Sequence, residues 1–153
     1  MKLFRLWTVL SLLNASSAFG DEVPFAQPPA ETKVAPLAEI MGMIQFQHIK
    51  LWQAIENRNW DLISYEAGRL EGALGNSVVY YLNIPVEYIA AAGPPLNALE
   101  NAAAAKDTSQ LEKHFTELTN ACNSCHQAGG VGYIKIVQPT FSPFGNQQFA
   151  PAK

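Results

Sequence analysis

The sequence predicts an all-α fold: an antiparallel four-helix bundle with a Cys-x-x-Cys-His motif at the end of the fourth helix, followed by an extended C-terminal tail. Three observations carry that expectation. Apolar residues recur at i, i+3, i+4 and i+7 in four separate segments, the period of a helix with one buried face. The segments are parted by short breaks rich in Asn, Pro and Gly, and short connections make successive helices antiparallel neighbours. No strand-like alternation precedes the motif.

The chain has 153 residues. Its start reads as a signal peptide over residues 1–20: the basic Met1-Lys2-Leu3-Phe4-Arg5, the apolar run Leu6 to Leu13, and small residues at Ala18 and Gly20. That apolar core is too short for a permanent membrane span. Residues 21–36 hold four prolines and read as an extended leader. The bundle is expected over residues 37–128. Leu37, Met41, Ile44, His48, Leu51, Trp52 and Ile55 form the first stripe. Asn57 to Asn59 breaks it, and Asn59 suits the cap of a second helix whose stripe is Ile63, Ala67, Leu70, Leu74, Val78 and Tyr81. Asn83-Ile84-Pro85 ends that helix, because proline disfavours helical backbone in the residue before it.

Val86 to Ala92 fits a short helical turn. Gly93-Pro94-Pro95 breaks it and opens a third helix, with Leu96, Leu99 and Ala103 inside. Asp107, Thr108 or Ser109 can cap the fourth, striped by Leu111, Phe115, Leu118, Cys122 and Cys125. Gly129, Gly130 and Gly132 close it. The tail, 129–153, carries Tyr133, Phe141, Phe144 and Phe149, too much apolar surface for a solvated segment, so it is expected to lie along the bundle.

With Lys2 and Arg5 removed, 8 basic residues face 13 acidic ones. An acidic domain without a basic patch argues against nucleic acid and anionic membrane surfaces as partners.

The chemistry lies in "TNACNSCHQAGG", residues 119–130, which holds the two cysteines of the chain. A structural zinc site wants four ligands, usually two separated pairs, and one pair is present. A thioredoxin-like dithiol needs a strand leading into a helix that opens with the motif, whereas this motif ends a helix. A plain disulfide suits an exported chain. Covalent haem c answers the geometry better. Cys122 and Cys125 share one face of a helical turn, where each can bond a vinyl carbon of one porphyrin, and His126 follows as iron ligand.

A haem motif near the end of the fourth helix resembles the class II c-type cytochromes, cytochrome c-prime and its low-spin relatives. The resemblance runs over residues 37–127, with Cys122-Asn123-Ser124-Cys125-His126 as its specific motif. It implies thioether anchors at Cys122 and Cys125 and a proximal ligand at His126. "IMGMIQFQHIKLW" and "LTNACNSCHQAGGVGYI" also look like a group of exported bacterial single-haem proteins. One departure stands out: cytochrome c-prime typically stops soon after its motif, whereas here Gln127 leads into glycines and a long apolar tail. The resemblance also implies a distal residue from the first helix and a possible homodimer through the first two helices.

In such a bundle the first helix starts beside the end of the fourth, so Met41 and His48 are the candidates for the sixth iron ligand. Ordinary core packing competes for Met41. A buried imidazole needs a polar partner, so a core hydrogen bond competes for His48, and an open iron is the third outcome. Met43 is turned roughly 140° from His48 and faces elsewhere. The reading is a periplasmic, non-enzymatic monohaem c-type cytochrome that passes single electrons between redox partner proteins. Its rivals are a five-coordinate haem protein that binds small gases and a non-haem helical protein with a structural disulfide.

Overall fold

The computed structural model describes residues 36–81 and 84–152. The expected signal peptide and nearly all of the expected leader lie outside the described residues. The described residues form five helices and no strand: α1 Leu37–Glu56, α2 Trp60–Tyr80, α3 Val86–Ala90, α4 Gly93–Ala105 and α5 Leu111–Ala128. The short turn expected after Pro85 is α3, so the fourth long helix is α5.

Local chemistry explains the element ends. Asn59 caps α2, its Oδ1 accepting the Leu62 N–H at 3.2 Å, and Asp61 stands in the first turn where the helix dipole favours a carboxylate. Prolines occupy the first turn of α4, where their missing N–H costs nothing. The expected cap of the last long helix is not used. Asp107 instead accepts the Ser109 N–H at 2.8 Å in a tight turn, and α5 begins only at Leu111, after a Gln110 that makes no side-chain cap. Burial also departs from expectation late in α2. After Leu74 the buried position is Ser77, whose hydroxyl donates to the Leu74 carbonyl at 2.6 Å, while Val78 is half-buried. A hydroxyl that satisfies itself on its own helix can face the core as cheaply as an apolar group.

Helices α1 and α2, joined by three residues, pack along one another; α2 packs on α4, α4 on α5, and α3 against α5 and α2. Leu51, Ile63, Leu70, Leu99, Phe115 and Leu118 are completely buried between them. Helices α1 and α5 touch least of these pairs. Two polar side chains also go under between α1 and α2, Gln47 and Glu66. Burial raises the Glu66 carboxyl above its ordinary range, with the charges of Lys50 and Arg69 pulling the other way.

Residues 131–152 carry neither helix nor strand. Phe144 meets Phe46 edge-on at 5.7 Å between ring centres, beneath the Lys50 ammonium at 4.8 Å. Phe149 is buried, and its carbonyl accepts from Asn59 Nδ2 at 3.0 Å, at the corner between α1 and α2. The segment therefore passes from the end of α5 along α1 to that corner. Tyr133 and Phe141 do not bed down as expected; they stand 83% and 73% exposed. An extended segment turns successive side chains to opposite sides, so only part of its apolar content can be covered.

Candidate functional site

The seam between α1 and α5 is closed at one end and open at the other. At the closed end the His48 and Trp52 rings lie 4.4 and 4.8 Å from the Phe115 ring. The hydroxyl of Thr119 donates to the Phe115 carbonyl at 2.9 Å, so its oxygen receives the His48 Nε2–H at 2.8 Å. Moving four residues forward along α1 is matched by four residues back along α5, so the two helices are antiparallel. That register brings the first turns of α1 level with Cys122 to Gly129.

There the helices part around a cleft of about 450 Å³. The size lies within the range of small-molecule and cofactor pockets. Leu37, Met41, Gly42, Gln45 and His48 line it from α1, and Cys122, Cys125 and His126 from α5. Ile84 and Ile89 close one side, and Val131, Ile134 and Ile136 of the tail another. All five residues expected at the site, Cys122, Cys125, His126, Met41 and His48, thus open onto a single apolar cavity. Gly42 adds room: a Cβ there would meet no heavy atom within 4 Å.

Both thiols are free and half-buried. Burial, with Cys125 adding to it, pushes the Cys122 thiol up to about 11. Burial first and then the Glu87 carboxylate raise Cys125. Both are therefore protonated at neutral pH, the opposite of a redox dithiol poised as thiolate. Their place in the last turns of a helix adds to this, since that end disfavours negative charge.

His126 is held differently. Its Nδ1 donates to the Ile134 carbonyl at 2.8 Å, which fixes the tautomer and leaves the Nε2 lone pair free. Gly130, at φ +76°, makes the turn that lets the tail return over this histidine. His48 presents no such free Nε2, because that atom is committed to Thr119. Burial lowers His48 to about 4, so the ring is neutral. His114 pairs with Glu117 at 2.9 Å on the surface of α5, away from the cleft lining. Met43 is 57% exposed, on the far side of α1 from the site.

Four participants escaped the sequence reading. Thr119 left a trace as a hydroxyl on an otherwise apolar stripe. Gly42 and the tail positions Ile134 and Ile136 left none, since their roles rest on space and on backbone atoms. Among the described residues, no three His, Cys, Asp or Glu side chains gather into a cage for a bare metal ion. Compared with known proteins, the chain matches no family model, no curated protein and no solved structure.

Proposed function

We propose that the chain is a periplasmic monohaem c-type cytochrome on an antiparallel four-helix bundle, related to the class II cytochromes, and that it carries single electrons between redox partner proteins. One observation carries the reading: two protonated thiols, an imidazole with a free Nε2 and a thioether all open onto one apolar cleft. The donor set suits haem c better than the zinc or dithiol alternatives, which need more ligands or a thiolate. Haem held there would supply an iron that takes up and releases one electron.

Each residue then has a task. Cys122 and Cys125 of α5 would hold the group by thioethers, and His126 would offer its free Nε2 to the iron. Ile134 keeps the His126 ring in place through Nδ1. The apolar walls exclude water and thereby influence the potential. Met41 is the better candidate for the sixth ligand, because it lines the cleft with an uncommitted sulfur while His48 has its Nε2 bonded at the closed end. His48 with Thr119 forms the floor. Exposed Met43 and Phe46 on α1 and Tyr65 on α2 give the proposed homodimer contact its apolar surface.

The test is the mass and visible spectrum of protein made together with haem-attachment machinery. Expected are one covalent haem, sharp low-spin bands in the reduced state, resistance to carbon monoxide, and loss of the low-spin signature in Met41→Ala. Immediate carbon monoxide binding in the unaltered protein would overturn the filled sixth position and favour the gas-binding rival. A colourless chain of bare polypeptide mass would overturn the haem assignment altogether.

A further inference from the structure

The two middle residues of the motif are not expected to touch the cofactor, yet one of them makes the firmest contact between α5 and the tail. The Asn123 side chain donates through Nδ2 to the Ile136 carbonyl and accepts the Ile136 N–H through Oδ1, both at 2.8 Å. A side-chain amide here satisfies both backbone groups of one residue, as a neighbouring strand would. Two residues earlier in the tail, the Ile134 carbonyl receives the His126 Nδ1–H. The spacings agree. Residues three apart on a helix lie about 5–6 Å apart, and residues two apart in extended chain lie about 6.6 Å apart on one side. Asn123 and His126 therefore meet Ile136 and Ile134 as two rungs of one short ladder between helix and tail.

Through 131–137 these are the side-chain hydrogen bonds to the body of the fold among the described residues; the other bonds in this stretch join backbone groups, the Val131 N–H to the His126 carbonyl at 2.9 Å near the end of α5 and the Ile134 N–H to the Val131 carbonyl at 2.8 Å. His126 cannot be the fixed post, since its ring is what has to be oriented. Asn123 can: it sits within α5, more than one turn before its end, half-buried, with both ends of its amide used.

We infer that Asn123 is a positioning residue, which clamps the tail at Ile136 so that the Ile134 carbonyl stays on His126 Nδ1 and sets how strongly Nε2 donates. A carbonyl acceptor on Nδ1–H makes the ring a stronger donor, which favours the oxidised state of a bound iron and lowers its potential. This consequence for the potential rests on the haem reading; the clamp itself does not.

Lys135, exposed and immediately before the clamped residue, gives a direct probe. In the haem-loaded full chain, Asn123→Ala should speed tryptic cleavage after Lys135 about tenfold, as expected for the loss of two hydrogen bonds. It should also raise the reduction potential. Asn123→Asp keeps the acceptor for the Ile136 N–H and loses the donor, so it should fall between wild type and Asn123→Ala on both measures. Faster cleavage at an unchanged potential would overturn the positioning role, because the tail could then loosen without disturbing His126. Unchanged cleavage would overturn the clamp. If the purified wild-type chain has bare polypeptide mass, the haem reading has failed. The inference is then judged on that chain by Lys135 cleavage and by the His126 ring 15N shifts, which Asn123→Ala should move from the Nδ1–H tautomer towards a mixture; shifts that stay put overturn it.

Discussion

Helices α1 and α5 meet twice, in opposite ways. Around His48, Trp52, Phe115 and Thr119 they are drawn together by tilted ring contacts and a buried hydrogen bond. One or two turns on, around Met41, Gly42, Cys122 and Cys125, the same helices stand apart across the apolar cleft. The side chains account for the change. Large rings fill the first stretch, whereas glycine, thiols and a methionine leave the second underfilled. Interiors pack densely when nothing forbids it. A gap walled by isoleucines, with three sulfurs and two imidazoles on its lining, therefore has the makings of a receptacle. The closed half should govern stability, and the open half should govern what the protein holds.

The strongest way to break that division is to hollow out the closed half. Phe115→Ala removes a completely buried ring and should cost about 3–5 kcal/mol in urea unfolding. A cost below about 1 kcal/mol would show that the seam is held elsewhere.

Acid offers a somewhat smaller and reversible probe. Buried His48 is lowered from 6.5 to about 4, so between those values the unfolded chain binds more protons than the native one. The contribution is fully present above pH 6.5, falls as the pH drops through the window, and totals about 3 kcal/mol lost by pH 4. Urea midpoints across that range should decline more steeply in wild type than in His48→Leu. Parallel slopes would mean that the imidazole is not buried neutral.

The mildest change sharpens the comparison from the other side. Gly42 faces open space, so Gly42→Ala should stabilise α1 by up to about 1 kcal/mol through helix propensity. On the proposed haem reading, Gly42→Leu should leave the fold standing yet lower the fraction of chains carrying haem, read as the ratio of haem to protein absorbance. Normal loading of Gly42→Leu would show that the space is not needed.

Much of the closed half was legible in advance. The stripes of α1, α4 and α5 announced Leu51, Leu99 and Phe115 through their period, and Asn59 announced the start of α2 through capping chemistry. The motif announced which side chains share a face, because thiols three residues apart on a helix must do so. What stayed hidden obeys no period. The Thr119 hydroxyl accepts from a residue 71 positions away, the Ile134 carbonyl is a backbone atom that any residue could supply, and Asn123 reads as filler between two cysteines. Late in α2, a self-satisfied Ser77 took the place expected for Val78. Such contacts depend on where an aperiodic tail returns, and no local pattern records that.

The anchorage of the chain's last stretch has a mechanical consequence. The Asn59 amide grips the Phe149 carbonyl while the Phe149 ring is sunk below the surface, well past the segment that walls the cleft. Tension applied beyond that point is taken up at the helical hairpin before it reaches Ile136, much as a clamp relieves strain on a cable. A bulky appendage fused after Lys153 should therefore leave the environment of His126 undisturbed.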